Sequence, residues 1–284
     1  MAPRTLAGVS ERGTGDGSYV HGYHEREALR LRDQAGTLVD LLHADTAYPP
    51  ASRVLEAGCG VGAQSVVLAG TSPGASIVSI DVSRASVAAA RIGIRGADIS
   101  NVELVEADLF HLPFDAGAFD HVFVCFVLEH LARPVEALIS LKEVLRPGGT
   151  ITVIEGDHGS AYFHPDDAEA GAAIACLIEL QRMADGNALV GRQLHPLLTA
   201  AGFDAVAVSP RMVYVDRTRP DLVEGFTLKT FTAMVEGVRD EAVAADLIEP
   251  AAFDRGIGAL RRTATDDGVF CYTFFKATAR QATP

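Results

Sequence analysis

The chain predicts an α/β protein built on a doubly wound parallel sheet, and three observations carry that expectation. A short apolar run, Val54-Leu55, ends in Glu56 and opens into glycines at 58, 60 and 62, after which 63–69 reads as helix. Strand, glycine turn and helix form the first unit of a nucleotide-binding sheet. A second apolar run, 76–80, ends in Asp81, about 20 residues beyond the glycines, where an acid takes ribose hydroxyls. Finally, strand-like and helix-like stretches alternate at the spacing of a parallel sheet with crossover helices. Ligands of such sheets bind outside the carboxyl ends of the strands, so the residues leaving each strand form the candidate site.

The elements follow in order. Residues 1–18 are rich in Gly, Ser and Thr and read as a disordered leader. Residues 23–43 read as a helix, with Leu31, Ala35, Leu38 and Leu42 on one face and Gln34 on the flank of that stripe. Tyr48-Pro49-Pro50 breaks the chain before the first strand. Helices are expected near 62–70, 83–96 (N-capped by Ser83) and 133–145, with the third strand at 102–105 and the fourth at 119–125. Pro147-Gly148-Gly149 ends the fourth helix and turns the chain into a fifth strand, 150–154. Residues 161–188 form an insertion whose helix begins near Pro165, with Asp166 and Asp167 in its first turn. It reads as a lid or substrate wall, or else as ordinary core. A core helix at 190–201, a long strand at 205–215, a second helical insertion from Pro220 to about Ala264 and a last strand at 268–276 complete the chain.

Composition narrows the function. With 284 residues, 48% apolar and 21% charged, the chain buries a substantial core. The formal charge of −13 opposes phosphate backbones, so no nucleic-acid partner is expected. No apolar run reaches the ~20 residues of a membrane helix, and no secretory signal is visible. Cys59, Cys125, Cys176 and Cys271 show no metal-like or paired spacing, which suits reduced cysteines and a cytoplasmic location.

Taken with Val102–Val105 leading to Asp108, Phe119–Cys125 running to Leu128-Glu129-His130, and Leu145-Arg146-Pro147-Gly148-Gly149, the glycine loop resembles the class I S-adenosylmethionine (SAM) methyltransferases over roughly 50–160. A nicotinamide-binding sheet explains the loop alone, but the Glu-x-Gly-x-Gly-x-Gly form and the Leu-x-Pro-Gly-Gly turn count against it. The resemblance implies a Rossmann-like sheet of seven strands with the last antiparallel, and helical insertions forming a lid and substrate region. It implies SAM as cofactor, held by Glu56, Gly58, Gly60 and Gly62 on the methionyl part, Asp81 and Val82 at the ribose, and Asp108 and Leu109 at the adenine amine. Cys125 touches it through backbone, and Gln34 belongs to a segment before the first strand that closes over the site, unless that segment is a plain solvated helix start. The implied organisation is a leader (1–18), a closing helix segment (19–50), a SAM-binding core (51–160), an insertion (161–188), core continued (189–216), a helical substrate region (217–266) and a last strand with tail (267–284).

The acceptor is expected to be a small molecule. Cys125-Phe126-Val127 stands where metal-dependent catechol-type enzymes carry carboxylates, so no metal is expected. The prolyl-prolyl-aromatic motif of DNA amino methylases and the paired-glutamate loop of arginine methylases are missing. Tyr23–Ala28, Asp33-Gln34-Ala35, His43–Thr46, Glu155–His158, Tyr162–Pro165 and Pro210–Tyr214 resemble a bacterial subgroup that includes indole C3-methyltransferases of natural-product pathways. Methyl transfer to an indole carbon wants one base to take the ring N–H proton, and histidine suits that near neutral pH. His158, at the fifth-strand exit, and His24, on the closing segment, are the candidates. Tyr23 is a relay, and Glu155 or Asp157 orients the histidine. An O- or N-methyltransferase, or a non-catalytic SAM-binding sensor, fits the same cofactor motifs. The oligomeric state stays open, a homodimer being one arrangement.

Overall fold

The computed structural model describes residues 36–283. Tyr23, His24, Gln34 and the leader lie outside the described residues. Strands β1 (Arg53–Ala57), β2 (Ser76–Asp81), β3 (Val102–Glu106), β4 (Phe119–Cys125) and β5 (Leu145–Gly156) are parallel neighbours in the order β3-β2-β1-β4-β5. β8 (Val269–Arg280) then runs antiparallel between β5 and β7 (Asp204–Val215). This is the expected doubly wound sheet with an antiparallel last strand. It has one strand more than expected, because β6 (Tyr162–His164) extends the β5 edge of β8. Three residues suffice for it because β8 is 12 residues long and outruns β5.

The helices divide between two faces. One is packed by the described part of α1 (36–43), through Leu38 and Leu42, by α2 (Ala63–Thr71), and by both insertions. The other carries α4 (Pro134–Glu143) and α6 (Leu194–Ala200), through Leu138, Leu141, Leu194 and Leu198. α3 (Arg84–Gly96) starts on the Ser83 cap as expected, its hydroxyl accepting the Ser86 N–H at 3.2 Å. The period of two in β8 serves both faces: Phe270, Tyr272 and Phe274 enter the first core, Ala277 and Ala279 the second.

Two local expectations are corrected. The Leu145–Gly149 stretch is not a turn between helix and strand but an irregular part of β5, with the β4 register shifting between Phe119 and His121. Helix α5 runs Ala168–Met183 rather than from Pro165, and Asp167 caps it by accepting the Glu169 and Ala170 N–H groups, each at 2.9 Å. Its side chain is worth more as a cap than as a first-turn charge, because it satisfies two otherwise orphaned donors. The first insertion packs as core, the alternative stated for it: Ala173, Ile174 and Leu177 are buried with α10 (Pro250–Arg262) against them.

In the second insertion α7 (Pro220–Leu222) leads into a π-helix, Val223–Thr232, then α8 (Ala233–Gly237), α9 (Arg239–Ala244) and α10. The π-helix sends Phe226 and Phe231 onto the Phe270, Tyr272 and Phe274 rings of β8, with centroids 4.7–6.0 Å apart. The chain after α1 is fastened by charge. Buried Lys276 of β8 donates to Leu42 O, Asp45 Oδ1 and Thr46 Oγ1, while Arg211 of β7 holds the other Asp45 oxygen. No helix among the described residues is long and apolar enough to cross a membrane.

Candidate active site

The glycine loop leaves β1 with Gly58, Gly60 and Gly62 all at positive φ, conformations that side chains resist. Gly58 is glycine for space as well: a Cβ there would lie 2.5 Å from Val127 Cγ2. Gly60 differs, since a Cβ there meets nothing within 4 Å. Its N–H donates at 2.8 Å to Asp81 Oδ2, and Asp81 Oδ1 takes the Ser83 N–H at 2.8 Å. Asp81 is thereby locked at the carboxyl end of β2. Burial raises its pKa, with the two N–H bonds pulling the other way. Beside it Val82 is 70% exposed, an apolar side chain with no protein cover. Asp108 follows β3, accepting the Phe110 N–H and facing His111 Nδ1 at 2.9 Å. Burial opposes its charge, but these partners outweigh it and hold its pKa below the ordinary value. Leu109 is half-buried next to it.

Open space at Gly60, a fixed acid at Asp81, bare apolar surface at Val82 and a second acid at Asp108 fit the parts of SAM in the expected sequence. One residue expected at the cofactor does other work. Glu56 is 2% exposed, and its Oε2 accepts the Ser65 and Ser79 hydroxyls, each at 2.5 Å. It braces the loop from beneath, and burial pushes its pKa up to about 7. The Cys125 side chain is buried in the core, so only its backbone reaches the edge.

The second half of the site stands where β4 and β5 end. Phe126, half-buried, takes φ 57, a left-handed conformation that costs a non-glycine residue roughly 1–2 kcal/mol. Val127 leads into a one-turn 3-10 helix, Leu128–His130. Glu155, fully buried on β5, holds this turn: its Oε1 accepts the Val127 N–H at 3.0 Å and the Leu128 N–H at 2.7 Å. Burial first, and the charge of Glu129 second, keep the Glu155 pKa well above the carboxylate range. The turn presents Glu129. Gln181 Nε2 of α5 donates to its Oε2 at 3.2 Å and to its backbone O at 3.1 Å. His130 Nε2 stands 3.6 Å from Oε1, and His158 Nε2 stands 3.6 Å from Oε2.

His158 is buried, with Nδ1 2.8 Å from the Tyr272 hydroxyl and Phe231 edge-on to its ring. The expectation that Glu155 or Asp157 orients it is corrected. Asp157 is spent on a two-pronged pair with Arg192, at 2.5 and 2.7 Å, and Glu155 on the Val127–Leu128 backbone. Strand geometry explains the difference, because neighbours along β5 and its exit point in different directions. Tyr272, Glu129 and Gln181 are the functional candidates that sequence reasoning passed over. Glu129 had a signal, as a carboxylate directly after the fourth strand. Tyr272 had a weaker one, the lone phenol inside the apolar run Phe270–Phe275. Among the described residues no group of three or more His, Cys, Asp or Glu side chains gathers to hold a metal ion.

Residues 55–153 match a family model described as a methyltransferase domain. The chain carries a class I methyltransferase domain. An uncharacterized 37.1 kDa protein in transposon TN4556 of Streptomyces fradiae is 32% identical over 208 residues, 72% of this chain and 58% of that one. Demethylmenaquinone methyltransferase of Clavibacter sepedonicus is 38% identical over 103 residues, covering 36% of this chain and 40% of that enzyme. The chain thus spans about half the length of these relatives. Among solved structures, the cyclase SpnF is 23% identical with a TM-score of 0.52, covering 95% of this chain and 86% of that one, a likeness of fold. The methyltransferase domain holds the glycine loop, Asp81, Asp108 and Glu129, while His158 and Tyr272 lie beyond its matched residues.

Two measurements check this geometry. Gly60→Ala is expected to fold with only the roughly 1–2 kcal/mol strain of left-handed backbone yet lose SAM affinity by calorimetry, because its new methyl enters the open cradle. Gly58→Ala is expected to lose stability further, through Val127. Equal SAM affinity in wild type and Gly60→Ala would remove the loop from the cofactor site. For Glu56, the folded pKa of about 7 lies above the ordinary 4.5, so the folded state binds the extra proton. Its stability contribution is full below the unfolded value and is lost as pH rises through the folded one. The stability of Glu56→Gln relative to wild type is therefore expected to grow by ~3 kcal/mol between pH 4.5 and 8. A pH-independent difference in urea unfolding would mean that Glu56 stays charged beneath the loop.

Proposed function

We propose that the protein is a SAM-dependent methyltransferase of a small molecule, and that its acceptor is an electron-rich aromatic carbon of the indole C3 type. The carrying observation is the shared wall of the two half-sites. Val127 fills the space left by Gly58, and two residues later the same turn presents Glu129 to His158. The turn after β4 thus touches the cofactor loop through Val127 and the proposed proton-accepting cluster through Glu129. Bound SAM supplies a methyl group on a positively charged sulfur, next to the Gly60 edge.

The chain's own residues do the rest. Asp81 and Asp108 orient the cofactor, and closure of the cleft excludes water. In the reaction the acceptor carbon forms its bond to the methyl as the carbon–sulfur bond breaks, leaving S-adenosylhomocysteine. The ring N–H proton leaves toward the His158–Glu129 cluster. Phe126, on the same turn, offers an aromatic face to the acceptor. A neutral heterocycle needs no counter-charge, which suits a site whose near acids already have partners. His24 and Tyr23 remain proposed as residues of the closing segment, and Gln34 as a cofactor contact.

The reading is tested by incubating the protein with carbon-13 methyl-labelled SAM and a panel of indoles, phenols and amines, with NMR of the products. A new quaternary or aromatic carbon–methyl signal from an indole is expected. Label on oxygen or nitrogen would replace the acceptor class, and no transfer to any member of the panel would count against methyl transfer.

A further inference from the structure

The hydrogen-bond pattern around His158 decides which atom is available to take a proton. Tyr272 is buried, with the backbone N–H of Asp157 near its hydroxyl. Its own O–H must then find an acceptor, since leaving it unmet in the core costs about 1–3 kcal/mol. The contact at hand is His158 Nδ1 at 2.8 Å. With O–H donated to Nδ1, the neutral imidazole carries its proton on Nε2. That N–H faces the Glu129 carboxylate across 3.6 Å. A histidine so engaged presents a donor toward the cleft and not a lone pair.

The same survey gives Glu129 what an acceptor of protons needs. Its carboxylate is approached by donors, His158 Nε2 and Gln181 Nε2 at Oε2 and His130 at Oε1, and by one acid, Glu155, on β5. Glu155 already has backbone N–H partners on Oε1, and burial favours its neutral form. Glu129 sits on the turn whose Val127 packs against Gly58 of the cofactor loop. Among the described residues Tyr272 is the phenol in contact with His158, and that contact engages its hydroxyl.

We infer that Glu129, rather than His158, takes up the acceptor's proton, with His158 as a positioning residue whose tautomer is set by Tyr272. This rests on the methyl-transfer reading above. The step balances simply: the acceptor's N–H bond breaks, its electron pair flows into the ring as the carbon–methyl bond forms, and the proton moves to a Glu129 oxygen and on to solvent. Glu129 is then a catalytic residue in contact with the acceptor, while Tyr272 acts only through His158.

The tautomer is read on the resting full-length protein by nitrogen-15 NMR of its histidine rings, the His158 signals assigned by their loss in His158→Gln. A protonated Nε2 and a bare Nδ1 are expected, and a proton on Nδ1 would overturn the proposal. Kinetics give the second arm. Glu129→Gln is expected to lower kcat on the order of 10²–10⁴-fold and to abolish the acidic limb of the pH profile, with SAM affinity by calorimetry retained. His158→Gln keeps a donor toward Glu129 and is expected to stay within about tenfold of wild type, far above His158→Ala, as befits positioning rather than base work. Near-normal kcat in Glu129→Gln, or equal loss in His158→Gln and His158→Ala, would return the base role to His158. Wild-type protein that transfers no methyl at all would instead defeat the functional reading, whatever the tautomer.

Discussion

The site depends on one buried carboxylate accepting two backbone N–H groups. Glu155 sits where β5 leaves the sheet, and its Oε1 fixes the Val127 and Leu128 amides of the turn that leaves β4. That turn is short, strained at Phe126 and carries no capping side chain of its own. Without Glu155 the two amides would be orphaned in the core, at about 1–3 kcal/mol each. Everything on the cleft side follows from the position so fixed: Val127 closes on Gly58, and Glu129 faces Gln181 and His158. Burial first, and the neighbouring Glu129 second, favour the neutral form of its carboxyl group.

The insertions gain meaning from the same constraint. α5 contributes Gln181 to Glu129, and the π-helix contributes Phe231 to the edge of His158. Both insertions are packed as core, so the walls of the site are as rigid as the sheet on which they stand. The seam between α1 and the sheet is tied by Lys276 and Arg211 through Asp45.

Much of this was legible in the sequence, for physical reasons that differ by element. Each βα unit declared itself because an apolar run must end in a turn, and the glycines at 58, 60 and 62 mark the only backbone that makes this one. The acids at 81 and 108 were readable from their places at strand ends. The hydrogen-bond economy of the second half-site was not. Nothing local to His158 says that its partner is Tyr272, 114 positions away, because antiparallel β8 brings the two together only in the folded sheet. The Leu145–Gly149 stretch misled because proline and two glycines usually end regular structure, whereas here they are absorbed into an irregular strand. Glu56 misled in another way: the residue type was right for the motif, but its side chain points beneath the loop to Ser65 and Ser79.

The central claim, that the cofactor loop and the Glu129 turn form one site held by Glu155, is tested most directly by calorimetric titration of SAM into wild type and Glu155→Ala, with circular dichroism to establish that the variant is folded. Saturable binding at one SAM per chain is expected in wild type. Affinity at least about tenfold weaker is expected in the folded variant, the equivalent of losing ~1.4 kcal/mol as the turn releases Gly58. Wild-type protein that takes up no SAM, or a folded Glu155→Ala that binds it equally well, would contradict the account.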